Sequence, residues 1–178
     1  MVTFLEREIT KRKIGKEYYL ALYPKLKEVN FSLEEWFGYY ENKKKEPEIS
    51  KIKEDLRNYI VTEICKEHKN INMMQTISKI YSEIIPNYLE EDKIKIRLEK
   101  KQFYHLIEDC VNDIIGLGPI QPLLVNSNIT DIMVNDINNV YITINGGEKN
   151  ICSPIFFDDK QHLERIIDKI LTMMPDKN

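Results

Sequence analysis

The strongest constraint on the fold of this chain is a run rich in glycine and proline at positions 116–124, Gly-Leu-Gly-Pro-Ile-Gln-Pro-Leu-Leu. Apolar residues before the run recur at helical spacing, whereas those after it follow the period of a strand. Glycine and proline both interrupt regular structure, glycine because it adopts positive φ readily and proline because it lacks an N–H. The run therefore predicts a boundary between a helical region and a region of β-strands.

Before this run the sequence predicts a bundle of helices. An apolar stripe at helical spacing covers residues 52–64, a second helix ends where Pro86 interrupts it, and the longest helix runs over about 91–115. Gly116 would end that last helix in the left-handed conformation. We therefore assign residues 49–115 to a helical bundle.

Residues 1–48 show a weaker pattern and are predicted to be a mobile or loosely packed helical segment. Ser32 and Glu35 have the spacing of a capping box, which predicts the start of a helix. Aromatic residues follow, and they would form either a buried face or a contact surface for a partner. The candidate partner contacts are Trp36, Phe37 and Tyr40. The run 41–48 lacks apolar residues and is predicted to be a solvated linker.

After the run the sequence predicts a small antiparallel sheet with one packed helix. Residues 129–134 are rich in β-branched side chains, residues 140–144 alternate between apolar and mixed positions, and asparagines and an aspartate between them predict a hairpin turn. A third strand is predicted around 151–157. Asp158 or Asp159 would cap a final helix. The predicted fold class is α+β, with about three strands and a helical bundle before them.

Composition and charge exclude several classes of protein. Residues 1–105 carry 21 Lys and Arg against 18 Asp and Glu, whereas residues 106–178 carry 5 against 11, so the second part should repel nucleic acid. Three widely spaced cysteines argue against a disulfide framework and for a reducing compartment. No apolar run approaches the length of a membrane span, and two acidic residues in the first eight argue against a signal peptide.

Motifs that carry chemistry are missing from these residues. No P-loop is present, and Gly116-x-Gly118 does not fit a dinucleotide fingerprint because it follows a helix and a proline comes directly after it. His105, Asp109 and Cys110 share a helix, so a nucleophile or a metal site can be imagined. Cys110 lies in the apolar stripe, however, and His105 with Asp109 is read more simply as an exposed or half-exposed pair one turn apart. No catalytic, cofactor-binding or metal-ligating residue is predicted.

The run itself, extended to residues 114–124, is followed by Ile-Thr-Asp-Ile-Met-Val-Asn at 129–135 and Val-Tyr-Ile at 140–142. This order resembles the N-terminal region of the CpaF-type ATPases of tight-adherence pili, in the type II/type IV secretion ATPase superfamily. That family reads Gly-Leu-Gly-Pro-Leu-x-Pro-Leu-Leu, then Ile-Thr-Glu-Ile-Met-Val-Asn-Gly, then Val-Tyr-Val. Asp136 departs from the family's glycine. The motif residues are Gly116, Leu117, Gly118, Pro119, Pro122, Leu123, Leu124, Ile132, Val134 and Asn135.

The resemblance implies that residues 116–178 begin a PAS-like α/β domain and that positions 116–124 form a rigid elbow. It implies a hexameric parent that uses ATP and Mg²⁺ through a motor domain whose motifs these residues lack, so this chain is expected to be non-catalytic and to hold no cofactor. Expected partners are like subunits and an inner-membrane platform protein, without nucleic acid or direct membrane insertion. The expected location is the cytoplasm, at the inner face of the membrane. The alternative is a free-standing adaptor or regulator that uses the same domain without a motor.

Overall fold

The computed structural model of the protein describes residues 16–66, 71–147 and 150–174. The fold is α+β, as predicted, with helices and a three-stranded antiparallel sheet. Of the segment predicted as mobile or loosely packed helix, 1–48, the first fifteen residues lie outside the described residues. In chain order the α-helices are α1 (Lys16–Leu22), α2 (Leu33–Lys45), α3 (Pro47–Cys65), α4 (Met73–Lys79), α5 (Ile85–Glu90), α6 (Lys100–Ile114), α7 (Gln121–Leu124) and α8 (Lys160–Met173).

The described residues form two compact units that are not continuous in sequence. The first unit comprises the described residues up to Asn30 together with Lys51–Glu108, and the second comprises Phe31–Ser50 together with the described residues from Asp109 onward. This grouping differs from a consecutive division at residues 48 and 115. Helix α2 and the sheet thus belong to the same unit.

In the first unit, α4 continues into α5 through a π-helical turn, Ile80–Ile84. The sequence predicts that Pro86 interrupts the helix, and this prediction is wrong. The Ile85 N–H donates to the Ile80 carbonyl five residues back, and the proline follows in the first turn of α5. Because Pro86 has no N–H, the Tyr81 carbonyl lacks its helical donor and accepts instead from the Tyr23 hydroxyl at 2.7 Å.

The long helix predicted from residue 91 begins instead at Lys100, so the predicted start is wrong. The segment before it is not helical, although its apolar residues Ile94 and Leu98 are buried. The Tyr19 hydroxyl, from α1, donates to the Ile96 carbonyl and accepts from the Leu98 N–H at 3.0 Å. A tertiary contact thus satisfies backbone groups that a helix would otherwise have satisfied.

In the second unit, β1 (Ile129–Asp136) pairs with β2 (Asn139–Ile144), and β2 pairs with the short β3 (Ile151–Cys152). The predicted hairpin is confirmed. The Asp136 carboxylate closes its turn by accepting from the Asn138 N–H at 2.8 Å and from the Asn139 side-chain amide at 2.6 Å. Val140 and Ile142 are buried and Tyr141 between them is half-buried, so the predicted alternation holds for these three residues. It fails at the end of β2, where Thr143 is buried and Ile144 is half-buried.

Helix α2 shows where one prediction holds and the next fails. The capping box is confirmed, with the Glu35 N–H 3.2 Å from Ser32 Oγ and the Ser32 N–H 3.0 Å from Glu35 Oε2. The solvated linker at 41–48 is wrong, because α2 runs to Lys45 and α3 begins at Pro47. The helix continues because its buried aromatic stripe extends by one turn to Lys43, which is also buried.

Candidate functional site

The centre of the second unit is a fully buried carboxylate, Asp109 of α6. It accepts hydrogen bonds from the Tyr40 hydroxyl at 2.7 Å, the Tyr39 hydroxyl at 3.1 Å and the Lys43 ammonium at 3.1 Å. The side chains of Lys43 and Asp109 are 0% and 1% exposed. A carboxylate buried to this degree needs several donors, and here three side chains of α2 supply them.

Helical geometry explains why one helix supplies all three donors. Residues 39, 40 and 43 lie three or four positions apart, which puts their side chains on one face of α2. The Lys43 ammonium also lies 2.7 Å from Asp158 Oδ1 and over the rings of Tyr40 and Phe156, at 5.3 and 5.2 Å from their centroids. Two carboxylates and two aromatic faces therefore compensate the buried cation.

The two tyrosines of this site serve as hydrogen-bond donors. Burial raises the pKa of Tyr39 and of Tyr40 well above the ordinary tyrosine value, and the negative charge of Asp109 raises it further. Both hydroxyls therefore keep their protons wherever the fold is intact. The arrangement fixes the end of α6 against α2.

A second buried contact joins α6 to α8 through His162. Its Nε2 lies 3.0 Å from Asp113 Oδ1, and its Nδ1 lies 3.2 Å from the backbone N–H of Asp158. Since Nδ1 accepts that N–H, the ring proton belongs on Nε2, which donates to Asp113. Asp159 accepts from the His162 N–H at 2.7 Å, so of the two predicted caps Asp159 is the one that caps α8.

Among the described residues one group has ligand atoms close enough for a metal ion: Asp113, Asp158 and His162, within 4.8 Å of one another. A metal would need a lone pair of His162, but Nε2 donates to Asp113 and Nδ1 accepts from the Asp158 N–H. It would also approach Asp158, whose Oδ1 already pairs with Lys43. The ligand atoms of this group already take part in hydrogen bonds and ion pairs within the protein. The prediction that the chain binds no metal stays a prediction.

The elbow, residues 116–124, turns at Gly118 rather than at Gly116. Gly118 has φ +57°, whereas Gly116 does not adopt positive φ, so the predicted left-handed Gly116 is wrong. A Cβ at Gly118 would lie 2.9 Å from the Ile166 side chain and 3.0 Å from Asp113 Oδ1. Glycine is needed at this position because φ is positive and because α8 approaches the backbone closely there.

Lys169 of α8 closes the end of α6. Its ammonium donates to the backbone carbonyls of Asp113, Ile114 and Gly116, the last two at 3.0 and 3.2 Å. The last carbonyls of a helix lack intrahelical donors, and a cation at this end also interacts favourably with the helix dipole. Lys169 thus supplies the cap that the sequence assigns to a glycine.

The other elbow residues contribute apolar contact. Pro119, Pro122 and Leu123 are buried, whereas Leu117 is half-buried and Leu124 is 48% exposed. In β1 the remaining motif residues follow the strand period: Ile132 and Val134 are half-buried and Asn135 is exposed.

Two of the three candidate partner contacts are buried in the core of the second unit. Trp36 and Tyr40 are buried, and their ring centroids are 6.4 Å apart, whereas Phe37 is half-buried. Trp36 and Tyr40 therefore leave little surface for a partner in this structure. Their aromatic stripe is core, which is the other of the two predicted alternatives.

Sequence reasoning missed several residues of this site. Lys43 was predicted to be solvated, and His105 and Asp109 to be exposed or half-exposed, yet all three are buried. His105 lies in the first unit, with Nδ1 2.8 Å from the Lys101 carbonyl. Helical spacing contained a signal for Lys43, since positions 36, 40 and 43 follow one stripe. Cys110 is buried in the apolar stripe, as predicted.

Comparisons with known proteins add no family to this description. No protein-family model matches the chain, and no curated protein matches it. Within the described ranges, no helix combines the length and the apolar character that crossing a membrane requires.

Proposed function

We propose that this chain is the non-catalytic N-terminal region of a CpaF-like secretion or pilus-assembly ATPase. In this role it contacts neighbouring subunits and an inner-membrane platform protein, and it couples motion of a motor to secretion. It works in the cytoplasm at the inner face of the membrane, within a homo-oligomer that is hexameric in the parent. ATP and Mg²⁺ are held by the parent's motor and not by this chain.

One observation carries the proposal: the elbow that bears the resemblance is a tightly closed joint. Gly118 leaves no room for a Cβ beside Ile166 and Asp113, and Lys169 binds the end of α6. Such a joint would pass a displacement of α8 to the last turn of α6, because the two cannot separate without breaking the hydrogen bonds of Lys169. This is the property that a coupling element requires.

The test is a titration of the 178-residue chain with Mg-ATP, followed by isothermal calorimetry and by phosphate release. We expect neither specific binding nor hydrolysis, because no P-loop cradles a phosphate. Micromolar ATP binding accompanied by hydrolysis would contradict the proposal.

The adaptor or regulator without a motor is distinguished by the gene. If the reading frame continues past residue 178 into Gly-x-x-x-x-Gly-Lys-Ser/Thr, the chain is a region of a motor protein. A stop codon at that point favours the adaptor.

A further inference from the structure

The first unit contains a cleft of about 410 Å³ that the proposed function does not use. Its size lies within the range of small-molecule sites. The lining residues are Leu26, Val29, Ile77, Ser78, Tyr81, Ser82 and Glu108. Three of them are aliphatic, three carry hydroxyls and one carries a carboxyl group, so the only formal charge on the lining is negative.

Glu108 supplies that charge from a half-buried position. Its Oε1 accepts from the Tyr81 hydroxyl at 2.6 Å, and burial raises the pKa of its carboxyl above the ordinary glutamate value while this hydrogen bond opposes the rise. No described residue donates to Oε2. A carboxylate that is partly desolvated and has one donor gains from a cationic partner.

The π turn positions the polar side of the cleft. It frees the Tyr81 carbonyl for the Tyr23 hydroxyl, which ties the backbone at Tyr81 while the Tyr81 side chain reaches Glu108. Ser78 and Ser82, one turn apart, line the same cleft, and neither hydroxyl bonds to another described residue. Turns of this kind are frequent at functional sites.

We propose that this cleft binds an alkyl ammonium group, with Glu108 as the counter-ion, the two serine hydroxyls as further acceptors and the aliphatic residues against the alkyl chain. An ammonium offers three donors on a compact charge. A guanidinium would prefer both carboxylate oxygens in a bidentate pair, and here the Tyr81 hydroxyl competes for Oε1. The geometry therefore favours ammonium over guanidinium.

The test uses the full chain labelled with ¹⁵N and titrated with n-butylammonium chloride, n-butylguanidinium chloride and 1-butanol. We expect saturable shifts of the backbone amides of Ser78, Tyr81 and Ser82 with the ammonium and affinities at least about fivefold weaker for the other two probes. The alcohol brings no charge, and the guanidinium meets a carboxylate whose Oε1 already accepts from Tyr81. A fourth probe, Nα-acetyl-lysine N-methylamide, shows whether the ammonium of a peptide lysine is accepted as well as that of a free amine.

Variants assign the effect to the cleft. Glu108→Gln keeps the size of the side chain and should weaken n-butylammonium binding about tenfold or more, whereas Ser82→Ala should weaken it about threefold. Glu83→Gln is the matched control, since Glu83 is exposed in the same π turn but does not line the cleft.

Binding that is unchanged in Glu108→Gln, or 1-butanol binding as tight as that of the ammonium, would overturn the proposal. So would the absence of shifts at 100 mM n-butylammonium, about a hundredfold above the millimolar affinity expected of so small a ligand.

Discussion

Glu108 and Asp109 are neighbours on α6, yet their carboxyl groups have opposite environments. Asp109 belongs to the second unit, is fully buried and accepts from two tyrosines and a lysine. Glu108 belongs to the first unit, lies in an open cleft and accepts from one tyrosine. The difference shows that a carboxylate is tolerated in the core when enough donors surround it, and that a carboxylate with one donor stays near solvent.

The largest expected effect separates the two carboxylates by their contribution to stability. Asp109→Ala should lower the free energy of unfolding by about 3–5 kcal/mol, because it removes the buried carboxylate that accepts from Tyr39, Tyr40 and Lys43. Glu108→Ala should lower it by about 1 kcal/mol or less. Urea unfolding followed by circular dichroism measures both, and equal losses would show that the comparison is wrong.

Asp109 has a lysine as its counter-ion, whereas Glu108 has only a tyrosine donor. Removing Lys43 should therefore leave Asp109, like Glu108, with neutral donors only. Lys43→Met should lower the free energy of unfolding by about 2–3 kcal/mol at neutral pH, since Asp109 keeps two donors but loses its counter-ion. The loss should shrink at acidic pH, where Asp109 of the variant can take up a proton. Lys44→Met, at an exposed position, is the control and should change stability by less than about 0.5 kcal/mol.

The elbow offers a comparison between two glycines. Gly118→Ala should lower the free energy of unfolding by about 1–3 kcal/mol, because alanine is strained at positive φ and its Cβ meets Ile166 and Asp113. Gly116→Ala should lower it less, since the nearest atom is the end of the Gln121 side chain, at 2.7 Å. Thermal unfolding of both variants tests the order, and a greater loss at Gly116 would place the critical turn there instead.

The smallest effect concerns the pH dependence of Glu108. Its pKa is higher in the folded state than the ordinary glutamate value, so folding takes up a proton between the two values. Stability therefore falls as the pH rises through this window. Glu108→Gln removes this penalty and should become more stable relative to the wild type from pH 4 to pH 7, by less than about 1 kcal/mol. A difference that does not change with pH would mean that the carboxyl group titrates alike in both states.

Local signals in the sequence predicted the local structure well. Ser32 and Glu35 form their capping box, Asp136 closes the hairpin turn with Asn138 and Asn139, and Asp159 caps α8. In each case the side chains that determine the structure lie within four residues of the backbone they bind. The α+β class followed from the change of period at residues 116–124.

The contacts that build the site could not be read from the sequence. Lys43 is buried because Asp158 and Asp109, which lies 66 positions later, neutralise its charge. The composition of the segment around Lys43 predicts a solvated linker, because it shows neither of these partners. Lys169 caps the end of α6, which lies more than fifty residues earlier in the sequence. From the sequence alone, Gly116 is therefore the nearest residue that could end this helix. The segment before α6 is not helical, and Tyr19 of α1 binds its backbone instead. Partners at such separations carry no local pattern.

Trp36 gives the second unit an optical signal of its own. It is the only tryptophan of the chain, it is 7% exposed, and the ring of Tyr39 lies 5.9 Å from it. Tryptophan emission, excited selectively at long ultraviolet wavelengths, therefore reports on the surroundings of Asp109 and not on the tyrosines of the first unit. A red shift that precedes the loss of helical signal would show that the two units melt separately, without any label being attached to the protein.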